Sequence, residues 1–401
     1  MVIVGLLAGI AGLSTTFVLR SVQHITYNYA FGAQLTGVIG SSPVHRAVGP
    51  MIGGALAGLG WWILRRRTDV PPLAPTIAGH DRIPRLSWSI DAGLQVLLVG
   101  SGASLGREGA PRQFAAALGD LGTGWLKRLS PRDREILLAC AAGAGLGAVY
   151  AVPLAGAMFS VRILLNTWHP RAVGAAFITS SLAVAIGSAA THDHPNLSWP
   201  GVESTYLLTA HGLLLAPLTL AVGLAFNKIM AVARPPKPMR TWLLIPALAA
   251  AGLAIGICSH WWPELPGNGR SILTVSLASG MTLSSAAAIL LLKPLLTALF
   301  LRAGGAGGML TPSLATGAAA GSALVLTINW LAGTQLHTPA VSLAGAAGVL
   351  AVTQGSPIWA AIFVWELARP PLWLLLVFLL TATGSHGLKV LIAGRSATLP
   401  G

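Results

Sequence analysis

Glu108 stands in Leu105-Gly-Arg-Glu-Gly-Ala-Pro111, a Gly/Pro-interrupted segment between long apolar runs. Most of the 11 acidic residues fall in loops or at segment ends, and Glu108 does not. An ionisable side chain at membrane depth is costly and points to function. A break that restarts a helix leaves unpaired N–H groups at the positive end of the helix dipole, and such an end binds anions. A carboxylate placed there mimics a mobile anion, and it can leave on protonation or displacement. Arg107 beside it raises the local positive potential and can hold backbone carbonyls. An interfacial Arg–Glu pair is the plainer reading of the same two residues.

A second break matches the first. Gly106-Arg-Glu-Gly-Ala-Pro111 aligns with Gly307-Gly-Met-Leu-Thr-Pro312 at an offset of 201 residues. Pro153-Leu-Ala-Gly-Ala-Met-Phe159 aligns with Pro357-Ile-Trp-Ala-Ala-Ile-Phe363 at an offset of 204. Two weak matches at nearly one offset argue for a duplicated unit. The expected division is an N-terminal half over 1–233, a basic Pro-rich linker over 234–240 and a C-terminal half over 241–401. Paired broken segments in two halves point to a binding site near the bilayer midplane. The plainer reading is that the glycines only permit close helix packing.

The elements that must carry these breaks are membrane helices. Of 401 residues, 54% are hydrophobic and 9% charged, with a mean hydropathy of +0.72; a soluble domain is about 25% charged. Apolar stretches run over 2–19, 47–64, 90–106, 136–165, 172–190, 205–233, 242–262, 272–301, 307–333, 339–366 and 371–393. They predict about ten spans plus re-entrant pieces, because a span needs about 20 apolar residues. The 48 glycines and 26 prolines fit broken, closely packed membrane helices. Val2 to Val18 lacks the pattern of a cleavable signal and reads as a first membrane helix.

The net charge of +14 comes from clusters between apolar runs: Arg65-Arg66-Arg67, Lys127 to Arg134 and Arg234 to Arg240. These read as cytoplasmic loops facing anionic lipid, with no nucleic-acid partner. Cys140 and Cys258 carry no spacing for a metal or disulfide framework. His192-Asp193-His194 reads as a loop, because no further ligand sits at metal spacing. No metal or cofactor is expected, and the chain is not read as an enzyme.

Other polar residues get structural readings. Glu366, near Arg369, reads as an ion pair or interface residue, and Asp91 and Asp120 read as caps or interfacial groups. Lys293 and Arg302 read as snorkelling along their helix. Gly143-Ala-Gly-Leu-Gly-Ala148 matches a dinucleotide pattern but lacks a preceding strand, so it reads as helix packing. Gly100-Ser-Gly-Ala-Ser104 leaves one reading from a different class, an intramembrane serine hydrolase using Ser101 or Ser104 with His80 or His211. No Gly-Lys-Ser/Thr phosphate loop is present, which speaks against ATP-driven pumping.

Taken together, these segments resemble the CLC family of chloride channels and proton/chloride antiporters. Gly106-Arg-Glu-Gly-Ala-Pro-Arg-Gln113 is similar to its GREGPxxQ segment. Gly307-Gly-Met-Leu-Thr-Pro-Ser-Leu-Ala-Thr-Gly317 is similar to GGxFxPxLxxG, and Ala151-Val-Pro-Leu-Ala-Gly-Ala-Met-Phe159 to NAPLAGxxF. Leu265-Pro-Gly-Asn-Gly-Arg270 and Leu292-Lys-Pro-Leu-Leu-Thr297 fall where the family has similar runs. The resemblance implies an all-α polytopic membrane protein, an inverted repeat of tilted and broken helices. It also implies a homodimer in the cell membrane with one anion path per subunit. Glu108 would be the gate, and Gly106, Arg107, Gly109, Met309 and Leu310 would line the anion site, mostly through backbone N–H groups. The substrate would be chloride or another small anion.

Three departures qualify this. The family's GSGIP segment is expected near His80-Asp-Arg-Ile-Pro84, where Asp81 replaces its serine. The inner proton-accepting glutamate of the antiporters would fall at Arg162 or Ile163. No tyrosine follows Tyr206, so the late pore tyrosine is missing, and no CBS domain is expected. The second departure favours a passive channel over a proton-coupled antiporter.

Overall fold

Backbone groups in lipid must be satisfied within the chain, and helices do this segment by segment. The computed structural model describes residues 1–30, 32–124, 129–189, 197–201 and 207–398. Lys127, Tyr206 and His192-Asp193-His194 lie outside them, as does the side chain of His211. The described helices are α1 (Val2–Tyr27), α2 (Gln34–Gly40), α3 (Pro43–Arg67), α4 (Leu73–Ala78), α5 (Arg85–Gly100), α6 (Gly109–Thr123), α7 (Pro131–Tyr150) and α8 (Pro153–Met158). A π turn over Phe159–Leu164 continues α8. There follow α9 (Pro170–Ala189), α10 (Leu207–Ala233), α11 (Leu244–Cys258), α12 (Arg270–Leu277) and α13 (Leu283–Arg302). The last are α14 (Leu310–Ala332), α15 (Thr338–Gln354), α16 (Pro357–Ala368) and α17 (Trp373–Thr398).

Seven of these are long and apolar enough to cross a membrane, α1 among them, and four shorter apolar helices accompany them. The sequence suggests more full spans than that. The difference arises where an apolar run is divided by a break. Residues 136–165 become α7, α8 and the π turn, and 339–366 become α15 and α16.

Local chemistry sets many of the ends. Ser42 and Ser130 cap α3 and α7 by accepting N–H bonds from His45 and Asp133, each ahead of a proline in the first turn. The α7–α8 break falls at Ala151, whose φ of 55° is left-handed.

Helices pack through small residues, because in lipid their association relies on close van der Waals contact. At the α3–α11 crossing, a Cβ on Gly54 would overlap the Leu248 carbonyl, and one on Gly252 the Pro50 carbonyl. The glycines Gly317, Gly321 and Gly345 bring α14 and α15 together in the same way. Gly143 of the dinucleotide-like motif lies against Ser160 and Gly156, so it is a packing residue.

Both large buried clusters mix the expected halves. One joins Leu146, Val152 and Phe159 to Leu310, Trp359 and Phe378. The other joins Trp61, Val96 and Leu105 to Leu248, Ile289 and Phe300. Residues 1–233 and 241–401 therefore bury one another's apolar surface.

Gly252→Val forces a branched side chain into the α3 backbone, and overpacking of this kind costs about 1–3 kcal/mol. Its unfolding temperature in detergent is expected to fall below wild type. Gly93→Ala, where a Cβ meets open space, is expected to hold or raise it, because Ala is favoured over Gly inside a helix by about 1 kcal/mol.

Candidate functional site: a carboxylate between two helix N-termini

Two broken segments meet. α5 ends at Gly100, the chain turns through Gly102 (φ +113°), and α6 starts at Gly109. α13 ends at Arg302, the chain turns through Gly304 (φ +87°), and α14 starts at Leu310. Gly106 and Gly308 then pair as an antiparallel bridge. Gly106 N–H donates to the Gly308 carbonyl at 2.6 Å, and Gly308 N–H returns the bond at 2.9 Å. Residues 106–111 and 307–312 are thus joined by backbone.

Glu108 closes the space between them. Its side chain leaves the N-cap of α6 and crosses to the N-terminus of α14, fully buried. Oε1 accepts from Leu310 N–H at 2.6 Å. Oε2 accepts from the Thr311 hydroxyl at 3.0 Å and the Tyr150 hydroxyl at 3.4 Å. A Cβ on either Gly106 or Gly308 would overlap the carboxylate, so only glycine fits on both sides of it.

The donors are one N–H at the positive end of a 23-residue helix and two hydroxyls. The printed hydrogen bonds give the carboxylate no direct cation. Arg107 donates to the Val149 carbonyl at 3.3 Å and lies over the Tyr150 ring at 4.9 Å. Arg112 donates to the Glu108 carbonyl at 2.7 Å and lies over the Phe159 ring at 5.1 Å. Both hold backbone and contribute charge at a distance. Neutral and N–H donors of this kind suit a small anion as well as a carboxylate oxygen.

The structure sorts the sequence candidates. Leu310 presents its N–H to the carboxylate, and Met309 is the N-cap that aims it. Gly106 spends its N–H on the bridge, Arg107 faces Val149, and Gly109 faces Gln95 on the inner side. Thr311 and Tyr150 add contacts that the sequence analysis did not single out. Thr311 lay inside the second motif, and Tyr150 immediately precedes the Ala151–Phe159 motif.

A cavity of about 620 Å³ approaches from the side of the basic loops. It reaches Gly109 and Gly307, the neighbours of Glu108 and Gly308. Thr68, Asp69 and Val70 line its mouth, while His80 to Pro84 do not. The proposed placement of the inner segment at His80–Pro84 is therefore displaced. Asp81 is exposed, His80 pairs with Glu135 at 3.2 Å, and Ile83 is buried in a separate apolar cluster. Ile163 lines the cavity, whereas Arg162 is exposed and bonds Asn166.

Other readings are corrected too. Lys293 does not snorkel: it is fully buried, and Nζ donates to the carbonyls of Leu265 (3.0 Å) and Gly267 (2.7 Å). Two carbonyls fix the ammonium because a buried cation must be hydrogen-bonded. Glu366 accepts from the N–H groups of Leu154 (2.9 Å) and Ala155 (2.6 Å), capping α8, and Arg369 donates to the Ala151 carbonyl instead. Asp120 does sit in a boundary ion cluster, with Arg85 and Arg134 each at 2.7 Å. Asp91 does not: it is buried partway along α5 and lines the cavity. Ser101 bonds the Leu97 carbonyl and Ser104 meets Thr297, so neither is bonded to a histidine.

Gly308→Ala places a methyl group where the carboxylate lies. A determined structure of that variant is expected to show Glu108 withdrawn from Leu310 N–H; a carboxylate still seated there would contradict the glycine argument.

Residues 53–389 match the family described as voltage gated chloride channel. The chain is 27% identical over 384 residues to the voltage-gated ClC-type chloride channel ClcB of Escherichia coli O81 (strain ED1a), covering 91% of this chain and 89% of that one. ClcB of E. coli O17:K52:H18 (strain UMN026 / ExPEC) is 26% identical over the same length, with the same coverage. Among solved structures, a slow cyanobacterial Cl⁻/H⁺ antiporter superposes with a TM-score of 0.79 at 20% identity, covering 99% of this chain and 97% of that one. A CLC-type fluoride/proton antiporter gives 0.73 at 18% identity, covering 96% and 93%. With a family match over most of its length and that fold, this chain is a member of the voltage gated chloride channel (CLC) family.

Proposed function

We propose that the protein passes chloride or a similar small anion across a lipid bilayer, as a passive CLC-type pathway gated by Glu108. The observation that carries the reading is the fully buried Glu108 carboxylate on Leu310 N–H. In this state the carboxylate occupies the donors an anion would use. Protonation removes its charge, and with it the attraction to the end of α14. The neutral side chain then gives up Leu310 N–H and the Thr311 hydroxyl, and an anion takes them. The passive form is supported by Ile163 and Arg162, which stand where the antiporter resemblance would place a glutamate. The homodimer, the cell-membrane location and the lining roles of Gly106, Arg107, Gly109 and Met309 belong to the same proposal.

Proton-coupled exchange is the second reading. It is favoured by the superposition on two antiporters. The two readings separate on proton movement. A chloride gradient imposed on reconstituted protein should drive no pH change in the passive case and a stoichiometric one in the coupled case.

Glu108→Gln is expected to conduct anions in liposomes at neutral pH and to lose the increase with acidification that wild type shows. Flux with unchanged pH dependence would refute the gate. Tyr150→Phe and Thr311→Val each remove a hydroxyl from the carboxylate. A hydrogen bond to a charged group contributes about 1.5–3 kcal/mol, so each variant should raise neutral-pH flux about tenfold or more.

A further inference from the structure

Asp91 is a buried carboxylate that the gate itself does not use. It sits on α5 at 4% exposure, where an ionised group is costly unless it is well held. Oδ1 accepts from Trp61 Nε1–H at 2.7 Å, and Oδ2 from Gln95 Nε2 at 2.8 Å. Gln95 Nε2 also donates to Gln113 Oε1 at 2.7 Å. Because the carboxylate demands a donor, the amide of Gln95 is fixed in orientation. Its Oε1 is thereby aimed at Gly109, where a Cβ would overlap it, and it is buried without a hydrogen-bond partner. Asp91, Gln95, Gly109 and Gln113 all line the inner cavity.

Holding Trp61 and Gln95 in place would account for the carboxylate alone. It does not account for the orphaned Oε1, which carries a lone pair toward the cavity end nearest Glu108. A carboxylate followed by an unpaired carbonyl oxygen repels an anion and suits a water molecule that carries a proton.

The charged groups around Asp91 are known from each packed element. α3 brings Arg65, which lies over the Trp61 ring at 5.3 Å and donates to the Gly304 carbonyl at 2.9 Å. α6 brings Arg112, already bound to the Glu108 carbonyl. The titratable groups of α1, which are Arg20, His24 and Tyr27, follow the Leu19 turn that packs against Gly100 at the far end of α5. Elsewhere on the cavity wall, Asp69 pairs with Arg240, and Arg234 lines the rim.

Resting on the reading of Glu108 as the gate, we infer that Asp91 is the inner proton station for Glu108. A hydronium in the cavity gives its proton to the Asp91 carboxylate. The proton then passes through a water held at Gln95 Oε1 to the Glu108 carboxylate, and Asp91 returns to its ionised form. No other bond changes. The gate is thus sensitive to pH on the side of the basic loops.

The test is chloride efflux from right-side-out membrane vesicles carrying the full chain, with lumenal and external pH set independently. Wild type should speed up on lumenal acidification at constant external pH. Asp91→Asn, close in shape, should reduce that response at least about tenfold, a modest loss for a positioned proton carrier, and leave the external response intact. Asp91→Glu should restore the lumenal response. An Asp91→Asn protein that keeps the lumenal response overturns the inference. So does one that loses flux equally at every pH on both sides, which marks a purely structural carboxylate. Absence of chloride flux from wild type would instead defeat the function proposed above, and is read separately.

Discussion

The site depends on pairing two chain breaks with each other. A break within lipid exposes N–H and C=O groups that have no water to turn to. Here Gly106 and Gly308 satisfy one another, and the remaining N–H of Leu310 is left for a carboxylate. The bridge fixes the distance between the starts of α6 and α14, and so fixes where Glu108 can reach. The glycines on both sides, the left-handed turns at Gly102 and Gly304 and the buried packing of α14 against α15 all serve that juxtaposition.

Two carboxylates cap helices across the molecule, in different ways. Glu366 takes two backbone N–H bonds at the start of α8, which places both of its oxygens on N–H groups. Glu108 takes one N–H and two hydroxyls. Thr311 and Tyr150 hydroxyls can rotate and serve another acceptor when the carboxylate leaves. The inner cavity also stops beside Glu108, at Gly109 and Gly307. The contrast is why a movable role is assigned to one carboxylate and a fixed one to the other.

Buried polar groups elsewhere tie the breaks to their supports. Lys293 holds the 265–267 loop by two carbonyls, Gly267 N–H donates to the Gly102 carbonyl at 2.8 Å, and Ser104 meets Thr297 at 3.1 Å. These bonds link the first break to α13, the helix that leads into the second. Partly satisfied networks in a low-dielectric interior are costly. The unpartnered Oε1 of Gln95 therefore stands out against these bonded neighbours.

The sequence alone carried the membrane class, the first helix, the two breaks and the choice of Glu108. Composition and hydropathy report directly on the solvent a chain requires, and a Gly-flanked acid in an apolar run is rare enough to be seen without a fold. Leu310 was legible because the second break mirrored the first. Tertiary structure decided the rest. Which face of α5 meets the cavity made Asp91 an internal group rather than a boundary one. Which carbonyls surround Lys293 turned a snorkelling reading into a buried clamp. Tyr150 reaches Glu108 across 42 residues of sequence, and Thr68 to Val70, not His80 to Pro84, came to line the inner mouth. Side-chain partners of this kind come from distant segments, so no local pattern encodes them; only the packing of helices in three dimensions sets them.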